Sequence, residues 1–444
     1  MNLWDKGSNA SKMVIEFTSG KDRDLDLQLA GYDVLGSIAH VKMLRKIGLL
    51  TDEELASLER ELKNIYASIE RNEFQIDKGI EDIHSQIELL LTNALGDAGK
   101  KVHTARSRND QVLLDIKLFS RDKIKDIVSQ ARTLFETLIN LSNQHKDILI
   151  PGYTHMQIAM PSSFGLWFGA YAESLAEDMI LLQAAYKIAN QNPLGSAAGF
   201  GSSFPVDRRM TTELLGFDSM HVNVVNAQMN RGKLEKTIAF AIGSLGATLS
   251  RMSMDICTWS GQNFGFITLP DEFTTGSSIM PHKKNPDLFE LVRASGNKLQ
   301  ALPFEIAMIN ANLPSGYHRD FQLIKESFLP AFKMLQDMLS ITEYIIGKMK
   351  INPAIIDNTL YQDIFSVEEV NKLVIEGSSF RNAYREVAAK MANGTYHPTK
   401  KVVHTHEGSI GNLCNDLITR KMNQVLDGFE FKKVEDAFRN LLYK

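Results

Sequence analysis

The sequence predicts an all-α fold, three helical domains built around a central bundle of long helices, on three observations. Apolar residues recur at i, i+3 and i+4 through most of the chain, the spacing of one helix face. Several of these runs exceed an ordinary globular helix and carry apolar residues on more than one face, as Leu245, Leu249, Met252, Met254 and Ile256 do. Such helices must be buried by neighbours, including those of other subunits, so an oligomer is expected. Finally, strand-like alternation is scarce, with Phe264 to Leu269 the clearest and shortest candidate.

The elements follow in chain order. Thr51-Asp52-Glu53-Glu54 reads as a capping box, since Thr51 can accept from a first-turn N–H while Glu54 reaches back. Leu55, Leu58, Leu62 and Ile65 then form an amphipathic stripe. A polar approach at 103–111 precedes a long apolar-periodic helix, with Asn109 or Asp110 as candidate caps. Pro161 opens a helical pattern through Tyr186, Asn226 to about Asn263 forms another, and Pro286 to about Leu302 a third, with Pro303 an expected break or kink. Gln322 to Lys350 continues the theme. Gly- and Pro-containing breaks near 96–103, 151–161 and 191–205 separate helices. The expected division is 1–102, 103–350 and 351–444: N-terminal helical, central long-helix and C-terminal helical domains.

Composition narrows the function classes. The chain has 444 residues, 44% hydrophobic, with a net charge of −4, so material for a core is ample and no basic tract points to nucleic acid. No stretch approaches roughly eighteen uncharged apolar residues, and no membrane span is expected. The segment from Met1 to Lys6 lacks a basic region followed by an apolar one, so no secretory leader is expected and the protein is placed in the cytoplasm. Cys257 and Cys414 are too few for a disulfide framework and suit a reducing compartment. Gly96 to Lys101 lacks the spacing and the Ser/Thr of a phosphate loop, and no Gly-x-Gly-x-x-Gly follows a strand. His404 and His406 have no partner ligands at a recognised spacing. Neither cofactor nor metal is expected.

Four polar clusters carry the chemistry. Gly276-Ser277-Ser278-Ile279-Met280-Pro281-His282-Lys283-Lys284-Asn285-Pro286 combines hydroxyls, backbone N–H groups, a lysine and an asparagine, a set able to wrap developing negative charge. His103 to Gln111 includes Arg106, Ser107, Arg108 and Asn109, which suit a dicarboxylate. Pro151 to Gln157 places His155 beside Thr154 in one turn, a titratable imidazole next to a hydroxyl. In Tyr317 to Glu326, Tyr317, Gln322 and Lys325 offer a hydroxyl, an amide and an ammonium, the last two on one helix face.

The 276–286 segment resembles the signature loop G-S-x-x-M-x-x-K-x-N of the fumarase/aspartase superfamily. Ser107-Arg108-Asn109-Asp110-Gln111-Val112 narrows the resemblance to the argininosuccinate lyase family. Glu81-Asp82-Ile83-His84-Ser85, Pro151 to His155 and Pro193-Leu194-Gly195 support it, so that it spans most of the chain. The resemblance implies a homotetramer with a twenty-helix core, whose four active sites each draw on three subunits. It implies β-elimination of argininosuccinate to arginine and fumarate, the last step of arginine biosynthesis. Ser277 is implied as the base, His155 as the residue assisting departure of the guanidinium, Glu290 as that histidine's acidic partner and Lys283 as a cation at the developing charge. Arg108, Asn109, Thr154, Asn285, Tyr317, Gln322 and Lys325 are implied as substrate contacts.

There are departures from the family pattern. Ala105 stands where glycine is usual, Ile158 where arginine is, and His282 where glutamine is. Met229-Asn230-Arg231-Gly232 replaces Ser-Asp-Arg-Asp, losing two carboxylates. The family's N-terminal substrate-binding serine is replaced by Asp22, a candidate source of the missing acidity. Three alternatives stand beside the main reading: adenylosuccinate lyase, which shares Met-Pro-His-Lys at 280–283; a lyase for an N-acylated argininosuccinate; and a non-catalytic, crystallin-like structural protein.

Overall fold

The computed structural model describes residues 12–444, so the 1–6 segment lies outside the described residues. Five long helices make the central bundle: α1 (Arg108–Gln144), α2 (Phe164–Ala189), α3 (Lys233–Trp259), α4 (Asp287–Ile309) and α5 (Phe321–Ile346). At 37 residues, α1 is about 55 Å long. Phe119, Phe168, Leu245, Leu299 and Phe332 are among the residues that meet in its continuous core. No helix among the described residues is long and apolar enough to cross a membrane.

A second core joins Ile38, Leu58, Leu62 and Ile87 from helices Ala30–Lys46, Asp52–Glu70 and Ile83–Leu95 to Leu114 and Leu118 of α1. It also takes Leu441 from the final helix, Phe431–Tyr443. A third, small cluster of Val370, Ala383, Val387 and Tyr396 lies under helices Ser366–Ile375 and Phe380–Ala392. Among the described residues the β-strands form three two-stranded sheets.

Local chemistry explains the boundaries. The capping box at Thr51 is formed: its hydroxyl accepts from the Glu54 amide at 3.2 Å while Glu54 accepts from the Thr51 amide at 3.0 Å. Four expectations need correction. Pro161 opens no helix; it pairs with Pro151 in the antiparallel hairpin Leu149–Thr154/Gln157–Ser163. Each strand there is an edge, which tolerates a residue without an N–H. Ser163 is the true cap, accepting from the Leu166 amide at 3.0 Å.

The 226–263 helix is in fact Val224–Met229 and α3, separated at Gly232, whose φ of +72° a side chain would strain. Pro303 does not end its helix, because α4 runs on to Ile309. The buried stripe Leu299, Leu302, Ile306 continues through it and offsets the missing hydrogen bond. Of 264–269 only Ile267–Thr268 is strand, paired with Lys350–Ile351.

Helices α3 and α4 touch backbone to backbone at Gly246 and Gly296. A Cβ on Gly296 would stand 2.3 Å from the Gly246 carbonyl oxygen. Gly296→Ala is therefore expected to destabilise the fold by about 1–3 kcal/mol, read as a lower denaturant midpoint at unchanged slope. An unchanged midpoint would mean that the helices part at no cost.

Candidate active site

The residues that begin α1 and α5 share a cleft of about 650 Å³ with the short helix Asp22–Asp26, the start of helix Ile83–Leu95 and the 197–201 loop. Arg108, Asn109, Tyr317, Gln322 and Lys325, all expected from sequence to contact substrate, line it together. Their convergence has a local cause. Ser107 caps α1, and Asp110 reaches back to the Ser107 amide at 3.0 Å. The other oxygen of Asp110 accepts from the Gly195 and Ala197 amides at 3.1 and 2.9 Å, tying the 193–201 loop to the cleft wall. Burial pushes this carboxyl up to about 6, although Arg106 and those amides oppose it. Asp110 is thus a cap and a clamp. Ala105, two residues before the cap, has a φ of +62°, the region that glycine occupies freely.

The cleft is dense with compensating charge. Arg108 donates to Asp82 at 2.7 Å and to the Ser85 hydroxyl, while Asp82 also caps its own helix by accepting from the Ser85 amide at 2.8 Å. Lys325, 5% exposed, lies 2.7 Å from both Asp22 and Asp26. Burial alone would lower this ammonium, but Asp26 and Asp22 raise it. The Gln322 amide donates to the Thr18 and Ser19 carbonyls at 2.9 and 3.2 Å, and Arg319 donates to Thr18 at 2.9 Å and to Glu81. Gln322 and Lys325 therefore hold the Asp22 segment in place.

His84, on the cleft wall, belongs to a group that sequence reasoning missed. His84 Nδ1 is 2.8 Å from Asp33 and 3.7 Å from Asp115, and all three residues are buried. Burial pushes the imidazole down, but Asp33, Asp115 and Asp82 outweigh it and raise it to about 9. The donor atoms of the trio lie within 4.8 Å of one another, close enough to hold a metal ion. The His84–Asp33 hydrogen bond and the cationic Arg106 nearby already supply counter-charge. The Glu81-Asp82-Ile83-His84 string was visible in sequence; its partners at 33 and 115 belong to other helices.

The remaining expected residues do not line this cleft. Ser277, Lys283 and Asn285 belong to a loop closed at its base by reciprocal Thr275–Asn285 backbone hydrogen bonds of 3.2 and 2.9 Å. Inside it, the Ser277 hydroxyl oxygen accepts from the Met280 and Ile279 amides at 3.2 and 3.4 Å. Lys283 and Glu290 are exposed, the latter near Arg293 at 3.8 Å. Thr154 and His155 are exposed at the tip of the 149–163 hairpin. There Thr154 pairs with Gln157 across a two-residue turn, and His155 and Met156 have φ of +54° and +60°. Such a turn normally takes Asn-Gly; holding a histidine in it stores strain of the kind found at working sites.

The chain is similar to known proteins in both sequence and fold. Residues 6–300 match the lyase family model. The argininosuccinate lyase of Phocaeicola vulgatus is 62% identical over 440 residues, 99% of each chain. That of Thermotoga neapolitana is 38% identical, over 87% of this chain and 98% of its own. Among solved structures, EDDS lyase in complex with formate superposes with a TM-score of 0.74 at 20% identity, covering 98% of this chain and 97% of that one. The class II fumarase of Schistosoma mansoni gives 0.72 at 16% identity, covering 95% and 92%. These two likenesses bear on the fold.

Proposed function

The chain belongs to the argininosuccinate lyase family, and on that premise we propose how its residues divide the β-elimination of argininosuccinate into arginine and fumarate. Ser277 removes the proton from the carbon beside a carboxylate. The amides of Ile279 and Met280, already aimed at its oxygen, and the Lys283 ammonium stabilise the serine as alkoxide. The proton leaves a carbon whose carboxylate becomes doubly charged, and Asn285 with Lys283 faces that charge. His155 then assists departure of the guanidinium from the neighbouring carbon, with Glu290 as its partner. Arg108, Asn109, Thr154, Tyr317, Gln322 and Lys325 hold the rest of the substrate.

One observation carries this reading. Five of the substrate residues line one cleft, while Ser277 and His155 sit on exposed loops outside it. A homotetramer with a twenty-helix core, in which neighbouring subunits bring those loops to each cleft, makes the site whole. What supports the assembly is the set of exposed apolar side chains of Phe240 and Met254 on α3 and Leu291, Phe304 and Met308 on α4. The three-part division at 102/103 and 350/351, a cytoplasmic location and a place at the end of arginine biosynthesis belong to the same proposal.

The test is ultraviolet detection of fumarate from argininosuccinate, with adenylosuccinate in a parallel cell. Fumarate from argininosuccinate alone is expected. Fumarate from adenylosuccinate alone would mean that the 106–112 segment was given the wrong meaning. A tetramer silent towards both would favour a lyase for an N-acylated argininosuccinate or the structural, crystallin-like role.

A further inference from the structure

We propose that Asp22 is a specificity-determining residue: its carboxylate binds the free α-ammonium of the substrate's amino-acid half, so that acylation of that nitrogen excludes a substrate. This rests on the lyase reading above and deepens it.

The positioning of Asp22 is built into the fold. The turn before it is held by Gln322 and Arg319 through the Thr18 and Ser19 carbonyls, so the start of α5 sets where helix Asp22–Asp26 begins. Asp22 lines the cleft, and its side chain is 14% exposed. Among the described residues its ion-pair partner is Lys325, which it shares with Asp26. One ammonium between two carboxylates leaves a surplus negative charge. Nearby Asp82 is already matched by Arg108. Burial raises the Asp22 carboxyl to about 6, with Lys325 opposing and Asp26 adding, as suits an acid short of positive partners.

The geometry also selects among the cations of the substrate. Oδ1 of Asp22 is occupied by Lys325. A guanidinium prefers both oxygens of a carboxylate in a planar fork, whereas an ammonium needs a single acceptor. The remaining oxygen therefore fits the α-ammonium better than the guanidinium, which must lie at the reacting carbon beside Ser277 and His155. An acyl group on that nitrogen removes the charge and puts bulk against the carboxylate.

The test compares argininosuccinate with Nα-acetylargininosuccinate for the native chain, Asp22→Asn and Asp22→Ala. For the variants KM for argininosuccinate is expected to rise about 10- to 100-fold with kcat within about threefold. The preference of the native chain for the free amine should fall at least about tenfold in both. Calorimetric titration of the native tetramer with arginine and with Nα-acetylarginine reads the same preference without turnover and without a variant; only arginine is expected to bind. Equal binding of the two, equal use of both substrates by the native chain, or an unchanged KM in a folded variant would each overturn the role of Asp22. Fumarate from the acetylated substrate alone would overturn it while leaving the lyase reading intact. No fumarate from either substrate would instead strike at the lyase reading, with the titration still deciding about Asp22.

Discussion

Replacing Ser277 by alanine is expected to reduce fumarate release by about 10³-fold or more while leaving assembly and thermal unfolding unchanged. The carbon acid to be deprotonated is very weak, so the reaction needs a base whose conjugate acid is itself weak. A serine alkoxide has that property, but only where its charge is held. Here the hydroxyl oxygen already receives two backbone N–H groups from within its own loop, at Ile279 and Met280. Those donors stay in place when the oxygen is removed, so the variant isolates the base from its support. The structural cost is small, because the loop is exposed and closed independently at Thr275 and Asn285. A Ser277→Ala chain that kept most of its turnover would end the assignment.

His155→Asn is the second large effect: kcat is expected to fall about 10²- to 10⁴-fold, with KM for argininosuccinate close to native. Asparagine is the informative choice because it is among the few side chains that tolerate a φ near the +54° observed there. The hairpin tip is thereby preserved while the imidazole, with its ability to carry a proton near neutrality, is lost. Alanine would confound lost chemistry with a shifted turn. Unchanged turnover in His155→Asn would remove the histidine from the mechanism and leave departure of the guanidinium to another group.

Much of this architecture could be read from the chain, for identifiable reasons. Helix α5 announces itself through Phe328, Phe332, Leu335, Met338 and Leu339, because its apolar period is local and uninterrupted. The cap at Thr51 is equally local. What was lost depends on partners distant in sequence. Whether Pro161 begins a helix or edges a strand is decided by residues 149–154, which take up the pairing first. Pro303 fails to stop α4 because the packing around it outweighs one missing bond. The split at Gly232 depends on Asn310, whose side-chain atoms would lie within 3 Å of a Cβ there. The same holds at the site. Arg108, Asn109, Tyr317, Gln322 and Lys325 were found through motif resemblance, whereas the Asp33–His84–Asp115 group joins three helices and has no short pattern to betray it.

The last helix of the chain lies against the first long one. Leu441 completes the core that residues 30–118 build with Leu194, Leu215 and Phe217, Val434 and Ala437 press on Gly216, and Phe438 flanks the buried Arg121. On the ribosome, therefore, the first third of the polypeptide emerges with its hydrophobic layer open. It must wait for almost all of the remaining residues before that layer can close. Non-local closure of this kind slows folding and lengthens the time in which sticky surface is exposed. The part of the protein made first is thus among the last to become stable, and nascent chains stalled before residue 431 should be the ones that chaperones hold longest.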